Sequence, residues 1–182
     1  MSKVGNQPIA ITEGVKVNLS EKLITILGAE GSYETKLPKS INAEIKENNI
    51  VLTRSKEYKK AKSLHGLFRT LIQNAIIGVI KPWEKKLEVS GTGFGAKLVG
   101  EDLEIKVGFS HPVNFKKING VKYKVEGKKI IVSGSDKQLV GEVANKIKSI
   151  KKPDVYKGKG IKYVGEFLKL KPGKKAKTEG EA

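Results

Sequence analysis

The chain has 182 residues, of which 38% are hydrophobic, and this is enough for one ordinary domain or two small domains with a packed core. Cysteine is absent, which excludes disulfides, thiolate nucleophiles and zinc sites of the cysteine type. The formal net charge of +17 makes a polyanion the first partner to consider, and nucleic acid is the leading candidate.

Nearly all of the positive charge comes from lysine, since Arg54 and Arg69 are the only arginines. Lysine contacts phosphates as a flexible point charge, whereas arginine can read base edges through two hydrogen bonds. The composition therefore favours recognition of the backbone and shape of a nucleic acid. The chain starts without a secretory signal, and its longest apolar run, AIIGVI, is too short to span a bilayer, so we expect a cytoplasmic protein.

The first predicted elements follow an N-terminal segment, residues 1–8. Strand-like pieces occur at Val15–Asn18 and Leu23–Leu27, and alternating apolar residues in Ile41–Ser55 predict a hairpin with a turn at Asn48-Asn49. Apolar residues then recur at three- and four-residue spacing, which predicts a helix with one apolar face. They are Leu64, Leu67, Phe68, Leu71, Ile72, Ala75, Ile76 and Val79.

The same order of elements returns after Pro82-Trp83. Strand-like pieces at Ala96–Val99 and Leu103–Val107 precede Val121–Ser135, which aligns with Ile41–Ser55 at a constant offset of 80 residues. A turn at Gly127-Lys128 and a shorter helix follow the same pattern, and a fixed offset indicates duplication rather than chance. The apolar face of this second helix comprises Val140, Val143, Ala144 and Ile147. Its predicted capping box comprises Ser135 and Gln138.

We therefore predict an α+β fold of two tandem similar domains, residues 9–81 and 82–152, each an antiparallel sheet packed with one helix. Residues 153–182 form a basic extension rich in lysine and glycine. The composition predicts that its last ten or so residues are disordered on their own, and that the extension becomes ordered when it binds RNA.

The extension contains the motif YKGKG at Tyr156–Gly160. Its two lysines alternate with glycines, so a phosphate chain can approach both the ammonium groups and the backbone N–H groups. Tyr156 and Tyr163 bracket the motif and can stack on a base, while the alternation in FLKLK points Lys169 and Lys171 outward. A tail kept only for solubility needs neither feature, so we interpret the segment as an RNA contact.

The segment Ser90–Gly100, SGTGFGAKLVG, resembles a dinucleotide-binding loop because Gly91, Gly93 and Ala96 fit the pattern G-x-G-x-x-A. That fingerprint requires a helix directly after the glycines, whereas the residues here predict a strand, a turn and another strand. We expect no nucleotide cofactor. The glycines are interpreted as a bulge or, with Lys97, as a place where RNA lies against the sheet.

The two histidines do not suggest catalysis. His65 and His111 stand without a second histidine, a cysteine or paired carboxylates at the spacing of a metal site or triad. We expect a structural role for His65, and a phosphate or backbone contact for His111 in the turn before Pro112. The residues predict neither an enzyme nor a metal or cofactor site.

These segments occur together, and in this order, in one known family. The stretches SKVGNQPIAI, GTGFGAKL and VGFSHPV, the duplicated module and the ending YKGKGI with its basic tail resemble the bacterial large-subunit ribosomal protein six family over nearly the whole chain. Lys169 and Lys171 stand where relatives often carry arginine, which argues against bidentate contacts there.

The resemblance implies a non-catalytic protein of the large ribosomal subunit that takes part in translation. Its partners would be large-subunit ribosomal RNA near the translation-factor binding region, close to the sarcin-ricin loop and the stalk base, and neighbouring large-subunit ribosomal proteins. It implies no membrane partner, no cofactor and no small-molecule substrate, and it implies that the second domain and the extension make most of the RNA contact. The implied RNA-binding residues are Gly91, Gly93, Phe94, Lys97, Ser110, His111, Lys152, Tyr156, Lys157, Gly158, Lys159, Gly160, Lys162, Lys169, Lys171, Lys174 and Lys175.

Two other classes of function stay open on the residues alone. One is an enzyme that uses the glycine loop for a phosphorylated substrate, and the other is a protein that compacts DNA or binds membrane surfaces by charge alone. The first module is less basic near its end and carries an apolar helix, so we interpret it as a spacer or a protein-facing half.

Overall fold

The computed structural model describes residues 4–173, so Lys174 and Lys175 and the final residues predicted to be disordered lie outside the described part. The chain divides into two compact units. The first comprises the chain up to Glu84 together with Ser133–Val140, and the second comprises Lys85–Val132 and the chain from Gly141 onward. Within the described residues, no helix is long and apolar enough to cross a membrane.

The first copy of the module forms two antiparallel sheets and a long helix. The strand orders are β1-β6-β5 and β2-β3-β4. The elements are β1 (Ile9–Ala10), β2 (Lys16–Ser20), β3 (Leu23–Gly28), β4 (Gly31–Lys36), β5 (Ile41–Lys46), β6 (Asn49–Arg54) and α1 (Lys59–Ile80). Alternation explains the strands: in β3 the side chains of Ile24 and Ile26 are fully buried, while those of Leu23 and Leu27 face outward.

The helix α1 covers this core with the face that the sequence predicts. Ile72, Ala75, Ile76 and Val79 are buried in it, and Leu64 and Phe68 pack against it. The prediction is wrong for Leu67, which is 51% exposed. It stands about 100° around the helix from Phe68 and so leaves the apolar stripe.

Position 65 lies on the buried face of α1, where it carries a histidine. The Nε2–H of His65 donates to the carbonyl oxygen of Leu52 at 2.9 Å, so Nδ1 is left to accept from Arg54 Nη1 at 3.4 Å. His65 is only 2% exposed, and both ring nitrogens have partners. The expected structural role of this histidine therefore agrees with its contacts.

Arg69 lies in α1, four residues after His65. It is half-buried, its Nη1 donates to Gln73 Oε1, and its Nε is buried without a hydrogen-bond partner. The reason is that the neighbouring residues of α1 turn inward, so the stem of the arginine is covered along with them.

The rest of the chain repeats this arrangement. The strand orders are β11-β12-β7-β13 and β10-β9-β8. The elements are β7 (Trp83–Ser90), β8 (Gly95–Val99), β9 (Asp102–Lys106), β10 (Val113–Phe115), β11 (Val121–Glu126), β12 (Lys129–Gly134), α2 (Lys137–Ile150) and β13 (Gly160–Tyr163). The α+β fold with two similar modules is confirmed. The structure further divides the strands of each module between two sheets.

The two hairpins show the predicted duplication most directly, because every bound of β11 and β12 lies 80 residues after that of β5 and β6. In the first copy the turn comprises Glu47 and Asn48, one residue earlier than predicted, since Lys46 pairs with Asn49. Glu47 has a φ of 54°, and Gly127, at the equivalent position, has a φ of 60°. Tight two-residue hairpin turns require this left-handed conformation.

Two further details differ from the sequence prediction. The strands β4 and β10 are additional, because β4 has one apolar side chain, that of Tyr33, and β10 has only three residues. The helix α2 begins one residue later than the predicted capping box implies: Asp136, not Ser135, accepts from the N–H of Gln138 at 2.8 Å through its Oδ1. Aspartate is as effective a helix cap as serine.

Candidate nucleic-acid interface

The glycine loop joins β7 to β8 and is shaped around one aromatic ring. A Cβ atom added at Gly91 would lie 2.8 Å from the ring of Phe94, and one added at Gly108 would lie 3.0 Å from it. Phe94 is therefore half-buried against two glycines, and its main role in the structure is to hold the loop. The strand β8 follows directly at Gly95, so the loop lacks the helix that a dinucleotide site requires.

The lysine-glycine turn is built by an aspartate that the sequence analysis did not single out. The backbone of Asp154 donates to the carbonyl of Lys159 and accepts from the N–H of Gly158, both at 2.9 Å. Its Oδ2 accepts from the N–H of Lys157 at 2.8 Å. An Asp that caps the backbone two or three residues later is a known turn signal, and here it directs both lysine side chains outward.

Strand β13 brings this turn to the glycine loop. Gly160 pairs with Ser90, and the pairing continues antiparallel to Tyr163 and Leu87. Gly160 has a φ of 150°, and a Cβ atom there would lie 2.7–2.8 Å from backbone atoms of Lys152 and Pro153. Only glycine fits this close approach. The pairing of Gly160 with Ser90 holds the turn that precedes β13 against the end of β7.

The loop and the turn together line an open groove with a volume of about 510 Å³. We call it the glycine groove. Its lining includes five of the residues expected to bind RNA, and Lys128, from the turn between β11 and β12, is an addition. The lining residues are Ser90, Gly91, Thr92, Gly93, Phe94, Lys128, Lys157 and Lys159.

The chain after β13 folds back over the lysine-glycine turn. The N–H of Lys171 donates to the carbonyl of Val155 at 2.9 Å. Leu168 and Leu170 face Gly158, where an added Cβ atom would lie 3.9 and 3.6 Å from them. Contacts within the protein therefore already hold this part of the extension, and the coupling of its ordering to RNA binding stays a prediction.

Glu166 anchors the start of this return. Its carboxylate accepts from Lys148 Nζ at 2.6 and 2.8 Å and from the N–H of Tyr163 at 2.9 Å. The hydrogen bond from Lys148, followed by that from Tyr163, lowers the pKa of the Glu166 carboxyl below its usual value. The extension is thus tied to α2 by a charged contact.

The two tyrosines that bracket the motif differ in availability. Tyr156 is 56% exposed and open to a stacking partner. The centre of the Tyr163 ring lies 4.6 Å from Lys148 Nζ and 5.8 Å from Lys85 Nζ, so two ammonium groups already contact this ring. Stacking of Tyr163 on a base stays a prediction.

Other expected RNA-binding residues lie outside the glycine groove. Lys97 is exposed on β8 and lines a separate groove that includes Glu104. Lys162 forms an ion pair with Glu88 at 3.4 Å, so part of its charge is already neutralised. The remaining positions are exposed, apart from the half-buried Gly158 and the buried Gly160. The exposed positions are Ser110, His111, Lys152, Lys169 and Lys171.

The segment that carries Ser110 and His111 connects β9 to β10. It includes Phe109, which is 49% exposed. The centre of this ring lies 5.0 Å from Nζ of Lys151, the residue that follows α2. The segment does not contribute to the lining of the glycine groove. Within the described residues, no group of three or more histidine, aspartate or glutamate side chains is placed to hold a metal ion.

Comparison with known proteins gives two matches that coincide with the two copies. The family model described as ribosomal protein L6 matches residues 11–81 and 90–164. The chain belongs to the ribosomal protein L6 family. This confirms the family predicted from the sequence, and because ribosomal protein L6 is a structural family, it also confirms that the chain is not an enzyme.

Relatives in the ribosomal protein L6 family match nearly the whole chain. A protein of Clostridium novyi (strain NT), named large ribosomal subunit protein uL6, is 48% identical over 179 residues, which is 97% of this chain and 100% of the relative. The protein of the same name from Hydrogenobaculum sp. (strain Y04AAS1) is 46% identical over 176 residues, 97% of each chain. That from Thermoanaerobacter sp. (strain X514) is 42% identical over 97% of this chain and 99% of the relative.

Proposed function

We propose that this chain is a structural constituent of the large ribosomal subunit that binds ribosomal RNA. Membership of the ribosomal protein L6 family and the names of its relatives support the first part. One observation supports the second: the glycine loop and the lysine-glycine turn, distant in the sequence, line one groove with exposed ammonium groups. The chain then acts in the cytoplasm, in translation.

The location that we propose is the translation-factor binding region, close to the sarcin-ricin loop and the stalk base, with other large-subunit proteins as neighbours. The mechanism is electrostatic: lysines neutralise phosphates of the RNA backbone and release condensed counterions. Lys157 and Lys159 are the strongest candidates, since neither forms an ion pair within the described residues. Lys162 contributes less to phosphate binding because it already forms an ion pair with Glu88.

We further propose that the functional modules are residues 9–81 and 82–152. The constant offset of 80 between the hairpins supports the duplication on which this division rests. RNA contact is assigned to the second module and the extension, where the glycine groove lies, and the first module is assigned to spacing or to protein neighbours.

The test removes the two lysines of the turn together. In Lys157→Ala/Lys159→Ala, the slope of log Kobs against log salt for large-subunit ribosomal RNA is expected to flatten by about 0.7 to 0.9 for each lost phosphate contact. The matched control is Lys59→Ala/Lys60→Ala, which removes the same charge from an exposed site on the first helix. The control is expected to keep the wild-type slope.

An equal slope in the wild type and the double variant would contradict the role of the turn. The competing class, a protein that binds by charge alone, predicts a different result in competition. Duplex DNA or anionic vesicles would then displace the ribosomal RNA as well as unlabelled ribosomal RNA does at moderate salt. We expect the structured RNA to be preferred.

A further inference from the structure

The turn between β11 and β12 lies beside the glycine loop and places Lys128 in the groove. Gly127 takes the left-handed conformation at the first position of this turn, with a φ of 60°. The carbonyl of Lys128 accepts from the N–H of Val89 at 2.9 Å, and Val89 belongs to the strand that leads into the loop. The backbone position of Lys128 relative to the groove is therefore set by a hydrogen bond.

The first copy of the module carries a different residue at this position. Its equivalent is Asn48, whose carbonyl accepts from the N–H of Ile11 at 2.9 Å, as Lys128 accepts from Val89. The side chains differ: Asn48 Nδ2 donates to the carbonyl of Ile11 at 3.0 Å, whereas Lys128 lines the glycine groove. Since asparagine builds the same turn, the lysine is not required for the turn itself.

The charge in the glycine groove is not compensated by its own lining. Among the residues that the structure describes, that lining includes three lysines and no carboxylate. Two other grooves of the second module each include an acid, Glu104 in one and Glu101 in the other. Asp154 lies in the lysine-glycine turn, and its Oδ2 accepts from the N–H of Lys157. The groove is thus suited to an anionic ligand more than the others are.

We propose that Lys128, Lys157 and Lys159 form a three-lysine clamp that binds successive phosphates of one RNA strand in the glycine groove. The proposal rests on the proposed binding of ribosomal RNA and adds a contact from a separate turn. The glycines of the loop let a sugar-phosphate backbone approach closely. Lysines on two separate turns suit a chain of phosphates, because each ammonium is a flexible point charge.

The experiment uses the full chain with Lys128→Asn, which gives the second turn the residue that the first turn carries. Binding to large-subunit ribosomal RNA, transcribed in vitro, is measured over a range of potassium chloride concentrations. We expect the slope of log Kobs against log salt to flatten by about 0.7 to 0.9, the loss of one phosphate contact. Lys128→Arg, which keeps the charge, is expected to restore the wild-type slope.

The matched control is Lys129→Asn. It removes the same charge from the neighbouring exposed residue, which does not line the groove, and is expected to leave the slope unchanged. Both asparagine variants are expected to keep the wild-type melting temperature, since the first copy shows that asparagine is accepted in this turn. If Lys128→Asn unfolds, the slopes of Lys128→Arg and Lys128→Gln are compared, and equal slopes refute the clamp.

The outcomes separate the clamp from the proposed function. A steep wild-type slope that Lys128→Asn leaves unchanged overturns the clamp and leaves ribosomal RNA binding intact. A wild type that binds duplex DNA as tightly as ribosomal RNA overturns the proposed function and the clamp with it. Micromolar binding of inorganic pyrophosphate that Lys128→Asn abolishes assigns the groove to a small polyphosphate, which overturns the RNA backbone as its ligand.

Discussion

At the scale of single residues, glycines decide where the charged groups stand. Gly160 is buried at the start of β13, between the lysine-glycine turn and the pairing with Ser90. A Cβ atom there would lie 2.8 Å from the carbonyl oxygen of Lys152 and 2.7 Å from the Cα atom of Pro153. Backbone atoms cannot move aside as the end of a flexible side chain can, so a larger residue has to displace the turn.

We predict that Gly160→Ala lowers the free energy of unfolding by about 2 to 4 kcal/mol, from backbone strain and overpacking together. Chemical denaturation of the full chain measures this. The contrasting variant is Gly141→Ala within α2, where an added Cβ atom has no neighbour within 4 Å. It is expected to raise the free energy of unfolding by about 1 kcal/mol, through helix propensity. Equal effects of the two substitutions would contradict the steric explanation.

At the scale of elements, the carboxylate of Glu166 links the extension to α2. Glu166 accepts from Lys148 on α2 and from the N–H of Tyr163 on β13, and the chain then returns to Val155, where Lys171 donates. The hydrogen bonds lower the pKa of Glu166 in the folded chain. A lowered pKa means that the charged form favours folding, so the stabilisation is present above the usual pKa and is lost as the folded carboxyl takes up a proton.

We predict that Glu166→Gln melts at a lower temperature than the wild type, by on the order of a few degrees, at any pH above about 4.5, the usual pKa of the group. The difference shrinks as the pH falls below that value and through the lowered pKa of the folded chain. Thermal unfolding over a pH series measures it. Glu13→Gln, at an exposed position, serves as the control. A difference that stays constant into acid would exclude the charge as its source.

At the scale of the whole molecule, one duplicated unit carries two different surfaces. The hairpin is repeated residue for residue, yet its turn carries Asn48 in one copy and Lys128 in the other. A net charge of +17 favours a polyanionic partner. The fold is thus present twice, while the glycine groove combines the glycine loop and Lys128 of the second copy with two lysines of the extension.

We predict that the tagged full chain sediments with large ribonucleoprotein particles from cell extract at moderate salt. It is expected to dissociate at high salt, because the attraction between lysine and phosphate is screened and counterions return to the RNA. The Lys157→Ala/Lys159→Ala variant should dissociate at a lower salt concentration than the wild type. Recovery of the wild type mainly in the slowly sedimenting fractions at moderate salt would contradict the proposed function.

Local patterns were sufficient for the hairpins and the helices of both modules. Apolar alternation located the hairpins β5-β6 and β11-β12, and the spacing of apolar residues located both helices. These signals are local because the period of a strand or a helix is written in adjacent residues. The strands β4 and β10 show no clear period, because β4 is mostly polar and β10 has only three residues. Pairing with their neighbours holds them in the sheets.

The sequence by itself determined the α+β class, the duplication, the basic character and the family, because each of these depends on periodicity, offset, composition or order of motifs. Only the tertiary structure decided which lysines lie together in the glycine groove. The pairing of Gly160 with Ser90 brings the turn to the loop, and the hydrogen bond from Val89 brings Lys128 to the same groove. Contacts between distant residues leave no period in the sequence, and their geometry follows from packing alone.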